Sequence, residues 1–383
     1  NQLGISEAQR VQASLPPNPT FSIGRLAGAG SVEIEARAIA SVLALMTLPA
    51  RAQIATDRFR QAQMEAAEAT LRIATETRRA YFRALSAKVL VNFLVQSQSA
   101  AQAAAELSTQ LGESGTMTKL DQARNQVFFA ELTGQLAQAR QLAATERERL
   151  VRLMGLWGPD IDFKLPVNLP RMPGKPAVQP DIEREAVARR LDLQIARIEL
   201  QALSRSLDLT NATRMVSVVE LSGIKKQVRT EGETERERGF ELELQIPIFD
   251  LGSGKLRQAE ETYMASVNRL TAKAINVRSE AREAYGAYRA AYDIARHYQR
   301  EVLPLRKIIS DETLLRYNAM QIDVFTLLSE ARARIASTTT AIETERAFWL
   351  AATNLGASVL GGGAASAEAP GATMAAAETG GGH

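Results

Sequence analysis

The residues best suited to act on a solute gather late in the chain, where Asp323, Phe325, Ser329, Glu330 and Arg332 follow one predicted turn. Repeated around a symmetry axis, such carboxylates would ring a passage and attract cations, while Arg332 would tie neighbours together by salt links. The competing reading is a solvated helix face with i,i+4 pairs, in which Phe325 and Leu328 are inter-helix knobs. A second set, Gly115, Thr116, Lys119 and Asp121 with Ala319 and Met320, occupies two turns. Exposed turns serve recognition of a partner, or merely reverse the chain between two helices. Covalent chemistry finds no support. The 383 residues contain no Cys, which excludes disulfides, thiolate chemistry and zinc ribbons, and only two His, His297 and His383, which argues against a His-rich metal site or a Ser-His-Asp triad. No nucleophile–base set, phosphate loop or metal cluster emerges; the chain reads as a non-enzyme without cofactor or metal site. His297 reads as an incidental surface or interface residue. Lys and Arg number 46 against 43 acids, a net charge of +3, which argues against a nucleic-acid partner.

The elements that must position these residues are long helices. Arg51 to Leu111 runs without Gly or Pro in a 3.6-type repeat, which at ~1.5 Å per residue predicts a helix of about 90 Å. A small globular core cannot use that length; a bundle, coiled coil or tunnel can. The boundaries read as an N-terminal segment over 1–18 and a first strand pair over 19–48. A first helical hairpin over 49–156 and a Pro-rich connector with a helix over 157–212 come next. A second strand pair over 213–250, a second hairpin over 251–357 and a disordered Gly/Ala tail over 358–383 complete the chain. Asp181 is expected to cap the connector helix, Pro304 to mark a kink, Trp157 to anchor the connector, and Tyr81, Tyr285 and Tyr288 to pack. No apolar run approaches the ~18 residues of a spanning helix. The chain opens at Asn1 with no Met and reads as a mature or trimmed product.

Strand pair, long helix, turn, long helix occurs twice. Arg79-Ala80-Tyr81 lines up with Glu283-Ala284-Tyr285, and the segment from Gly115 to Arg124 with that from Met320 to Arg332, so duplication is expected. Within the strands, Phe240, Leu242, Leu244, Ile246 and Ile248 alternate with Glu241, Glu243 and Gln245. Val32, Ile34, Ala36, Ala38, Ala40 and Val42 likewise alternate with Glu33, Glu35, Arg37 and Ser41. Period two means one wet and one apolar face. Two architectures satisfy it: an ordinary sheet over a soluble core, or a transmembrane barrel, apolar outside and polar within. Four strands cannot close a barrel, since known ones begin at about eight. The second reading therefore requires pooling between copies, and three copies give twelve strands. Lys225 to Arg238, with Glu231, Glu233, Glu235, Arg236, Glu237 and Arg238, is expected to be a charged, solvated external loop.

With the repeat, the junction Ile246-Pro-Ile-Phe-Asp-Leu-Gly252, the tip Gly115-Thr-Met-Thr-Lys-Leu-Asp121 and the second tip Tyr317 to Arg332 in view, the chain resembles the TolC-like outer-membrane factors. These are the exit ducts of tripartite efflux pumps and type I secretion systems. The likeness spans roughly residues 15–360. It implies a mainly α fold with β: a homotrimer with a shared twelve-stranded barrel in outer-membrane lipid, an α-barrel crossing the periplasm of a Gram-negative cell, and an equatorial belt. It further implies a passive conduit for small solutes or metal ions, gated near the second tip. Its implied partners are a periplasmic adaptor docked at the tips and an inner-membrane transporter of RND type. Lys119-Leu-Asp-Gln-Ala-Arg124 and Gly155-Leu-Trp-Gly158 resemble the heavy-metal branch, in which case the metal passes hydrated. The chain departs from the pattern in lacking the N-terminal Cys of lipid-anchored members, in placing Met320 where many members have Gly, and in placing Ser329, beside Glu330, at the gate position. A soluble coiled-coil adaptor or scaffold of the cell envelope is the rival reading.

Overall fold

The computed structural model describes residues 1–28, 31–216, 218–230, 233–245, 251–361 and 363. Residues 246–250 of the strand-to-helix junction, the Ala29-Gly30 link, Glu231 and the tail from 364 onward lie outside the described residues. The chain divides into two compact units, Asn1–Glu68 with Leu191–Asn276, and Ala69–Arg190 with Val277–His383.

The first unit begins with α1 (Gln2–Ser14), a helix inside the N-terminal segment to which no element was assigned from sequence; its Arg10 guanidinium lies 4.8 Å from the Phe59 ring. Then come β1 (Thr20–Gly28) and β2 (Ser31–Ser41), shorter than expected because Ser41 accepts from the Ala44 amide and starts α2 (Val42–Met46). The long α3 (Leu48–Glu113) opens with Pro49 in its first turn, where a missing N–H costs nothing. The unit also holds α6 (Leu191–Thr213), β3 (Val218–Thr230), β4 (Glu233–Gln245) and the start of α7 (Ser253–His297). Arg205 of α6 pairs with the buried Asp57 of α3.

All four strands form one antiparallel sheet in the order β1-β2-β3-β4. The segment expected to be a charged loop is strand on both sides of residues 231–232. Its alternation is of charge rather than hydropathy: Glu233, Glu235 and Glu237 point one way, Thr234, Arg236 and Arg238 the other. Register then fixes two faces. One carries Val219, Leu221, Leu242, Leu244, Ala40, Phe21, Ala38 and Phe240. The other carries Glu33, Glu35, Glu220, Glu233, Glu235, Glu237, Glu241 and Glu243 with Arg37 and Lys226. Arg37 pairs with Glu35 at 3.1 Å and Glu241 at 3.2 Å, and Lys226 with Glu33 at 2.7 Å, all on this acidic face. Every residue of β1 and of β4 is exposed, with Phe21 at 67% and Phe240 at 85%. A sheet lying over a core would bury one face; this one buries neither at its edges.

In the second unit, α3 turns into α4 (Lys119–Met154), which ends on Gly155 in the left-handed region. A 3₁₀ turn (Gly158–Ile161) leads to the connector and α5 (Ile182–Arg189). Asp181 makes no side-chain cap bond, and the extended Arg190 separates α5 from α6. After α7 a π-helical turn (Tyr298–Val302) precedes α8 (Leu303–Asn318), then α9 (Val324–Leu360). Pro304 sits in the first turn of α8, directly after the π turn, so two features that interrupt the regular i→i−4 ladder fall together at this joint. Among the described residues no helix is long and apolar enough to cross a membrane.

Trp157 does not anchor the connector: it is 82% exposed. Tyrosines do that work. The Ala177 amide donates to Tyr288 Oη at 3.0 Å, and Tyr292 Oη donates to the Pro173 and Gly174 carbonyls at 3.1 and 2.9 Å. Both rings pack on Phe348, which meets Trp349 edge-on at 5.1 Å, and Trp349 stacks on Phe82 at 5.2 Å. Nearby, burial raises the carboxyl of Glu345, opposed by a hydrogen bond with Gln299. A carboxyl whose pKa is raised by folding subtracts stability once the pH climbs past its unfolded value near 4.5. Glu345→Gln should therefore raise the melting temperature at pH 7, and the gain should vanish below about pH 4.5.

Candidate functional site

The two hairpin tips are built by one device used twice. At the first, Thr116 N–H bonds the Leu111 carbonyl at 3.0 Å while Gly115 takes φ +77°. At the second, Gln321 N–H bonds the Arg316 carbonyl at 2.9 Å while Met320 takes φ +60°. Both are Schellman closures. Three residues on, Thr118 accepts from the Asp121 amide at 3.1 Å, and Asp323 from the Thr326 amide at 2.9 Å. The caps are mirror versions: the Thr118 hydroxyl donates to Asp121, the Thr326 hydroxyl to Asp323. The duplication expected from sequence thus reaches the level of individual hydrogen bonds.

Met320 is the one described non-glycine residue at positive φ and is 94% exposed. An L side chain there costs ~1–2 kcal/mol. Met320→Gly should stabilise the tip by about 0.5–1 kcal/mol, read as a higher thermal midpoint. Thr116, Lys119 and Ala319 are also exposed, and Thr116 Oγ1 bonds back to the Leu111 carbonyl at 2.8 Å. Asp121 is half-buried and pairs with Arg124 at 3.2 Å. The hydrogen bonds from Thr326, aided by the positive charge of Arg124, hold the Asp323 carboxyl below its ordinary range.

The residues after the second tip divide among three directions. Phe325 lies under Arg124, whose guanidinium is 5.0 Å from the ring, and stays 53% exposed. Phe325, Ser329 and Arg332 line one groove of about 480 Å³ with Leu120, Arg124, Val127 and Glu131 of α4. Arg332 pairs with Glu131 at 2.9 Å and lies over the Phe128 ring at 5.4 Å. Glu330 points elsewhere, its largely shielded carboxylate pairing with Arg306 of α8 at 3.2 Å; its Oε1 is buried without a hydrogen bond. Asp323 is held as a cap. Glu330 and Arg332 therefore do not face one another, because two positions along a helix turn a side chain through roughly 200°. Leu328 is a core knob, buried among Leu94, Phe128, Leu132 and Leu136. Neither Glu131 nor Arg306 was singled out from sequence, because spacing along one helix carries no signal of the charge that stands opposite on another. His297 pairs with Glu301, one turn along its own helix, at 3.2 Å. Among the described residues no group of His and acids could hold a metal.

Residues 183–310 match the family model described as outer membrane efflux protein. No curated protein matches the chain in sequence. Among solved structures the fold is similar to the outer-membrane channel OprN at 16% identity and a TM-score of 0.76, covering 94% of this chain and 85% of that one. CusC, described through its folding and transmembrane channel formation, aligns at 16% identity and 0.77, covering 94% and 87%. The CmeC outer membrane channel of Campylobacter jejuni aligns at 14% and 0.76, covering 94% and 83%.

Proposed function

We propose that the chain is an outer membrane efflux protein of the TolC-like kind, one of three subunits that pool their strands into a single exit duct extending into the periplasm. The observation that carries this reading is a four-stranded sheet with two unpaired edges, β1 and β4, both exposed on either face. Unpaired strand edges demand a partner, and closure removes them. The apolar face meets lipid and the acidic face lines the passage. A soluble scaffold would leave Phe21, Ile23, Phe240, Leu242 and Leu244 in water with nothing to cover them. Because the chain has no Cys, Ser22→Cys in β1 with Glu241→Cys in β4 gives a clean probe. A short bis-maleimide should link copies into a ladder ending at the trimer in detergent or membranes; protein that stays monomeric overturns the proposal.

The duct is passive, opened when an adaptor repacks the helices at the tips. Gly115, Thr116, Lys119, Asp121, Ala319 and Met320 form the docking surface, and an inner-membrane transporter of RND type supplies the energy. The acidic face holds eight carboxylates against two cations per chain among the described residues, which supports cationic cargo, heavy-metal ions included, passing hydrated. Phe325, Ser329, Glu330 and Arg332 set the resting aperture, with Asp323 fixing the turn. Arg332–Glu131 ties α9 to α4 and Glu330–Arg306 ties α9 to α8. An exposed pair such as the first is worth up to ~1 kcal/mol, so Arg332→Ala should shift the open-to-closed ratio by up to about fivefold in planar bilayers. Unchanged conductance in Arg332→Ala and Glu330→Ala would remove both from the gate.

A further inference from the structure

We infer that the outer face of the strand region carries a built contact for phosphate-bearing lipid of the outer leaflet; this rests on the duct reading above. The apolar face of the sheet is not apolar throughout. Toward the hairpin ends it carries Arg25 of β1, Lys225 and Arg229 of β3, and Arg236 and Arg238 of β4. All five are exposed, and none forms an ion pair among the described residues. Among the described residues register places no carboxylate on that face, whereas all eight of the described sheet's acids lie on the other. Sign is thus segregated across the thickness of the sheet, not along it.

That segregation has a physical consequence. The cations begin where the apolar rows of Phe21–Ala38–Gly223–Phe240 and Ala40–Leu221–Leu242 end, and Ile34 and Val32 continue between them on β2. Long cationic side chains at such a border lay their stems on apolar surface and lift their charges to headgroup level. A cation there needs a counter-charge, and the described residues of that face offer none. Three interstrand spacings of ~4.8 Å separate β1 from β4 by about 14 Å, a patch the size of one headgroup rather than a peptide. Four of the five are arginines, whose planar forks match phosphate oxygens two at a time. The hairpin ends lie at the far end of the strands from the helices that follow β2 and precede β3, so in the duct they face the outer leaflet.

The test uses the full chain as a detergent-solubilised trimer, its assembly first verified with the β1–β4 cross-link. Bis-phosphorylated lipid A and the same lipid after enzymatic dephosphorylation are the probes, with EDTA present so that no divalent ion bridges lipids. Native mass spectrometry should show lipid A retained by the unaltered trimer and the dephosphorylated lipid retained at least tenfold less. Replacing Arg25, Lys225, Arg229, Arg236 and Arg238 together with Gln should lower lipid A retention at least tenfold while the cross-linked trimer persists. Lys226→Gln, on the acidic face, should change nothing. Equal retention of the two lipids, or undiminished retention by the fivefold variant, overturns the inference. Association of trimers through the cationic face without lipid would also overturn it. If the fivefold variant fails to assemble, Arg25→Gln with Arg229→Gln in the same assay decides, at an expected threefold or greater loss. Absence of the cross-link would instead defeat the duct reading itself.

Discussion

Leu242→Arg should abolish insertion of the trimer, while Glu243→Gln, one residue away, should leave it intact. Leu242 is 57% exposed on the face that carries Leu221 and Leu244, and its neighbour in sequence points to the opposite face. In the proposed duct a cation on the lipid face costs ~2–4 kcal/mol near mid-membrane, and threefold symmetry would repeat that cost in one assembly. Glu243 lies with the other acids, where losing one charge of many changes selectivity rather than closure. Heat-modifiable migration of outer-membrane fractions reads the outcome. Equal insertion of both variants would mean that the apolar face does not meet lipid.

Phe348→Ala should be the most destabilising single change in the second unit, at ~3–5 kcal/mol, the range for emptying a buried aromatic site. Phe348 is 1% exposed and contacts Tyr288, Tyr292 and Trp349. Because those tyrosines hold the connector through the Ala177 amide and the Pro173 and Gly174 carbonyls, the loss should spread. Thermal unfolding in detergent should show the lower midpoint, and limited proteolysis should cut faster between 157 and 180. Trp157→Ala, at an exposed site, should stay within about 0.5 kcal/mol of the unaltered protein. A connector cleaved no faster in Phe348→Ala would break the link drawn between the aromatic cluster and the connector.

What the sequence determined by itself is local. A long tract without Gly or Pro specifies helix residue by residue, and the turns at Gly115 and Met320 announce themselves through their cap residues, Thr118 and Asp323. Period-two alternation assigned Phe240, Leu242 and Leu244 to one face without reference to any other strand. The strands ran on past the point where hydropathy stopped alternating because Glu233 to Arg238 alternate in charge sign, a pattern hidden from a reading tuned to apolar residues. Three-dimensional pairing decided the rest, since no spacing along one helix reveals what stands across from it. Arg332 and Glu330 were grouped in sequence as one gate set, yet the helix turns them apart, to Glu131 and Arg306, residues about 200 and 24 positions away. Tyr288 was legible as a packing residue, but its bond to the connector, and the Tyr292 bonds beside it, span over a hundred positions and were hidden for the same reason. Likewise only register could show that five cations share one face of the sheet and eight acids the other, because membership of a face is common to four strands and fixed by hydrogen bonds between them.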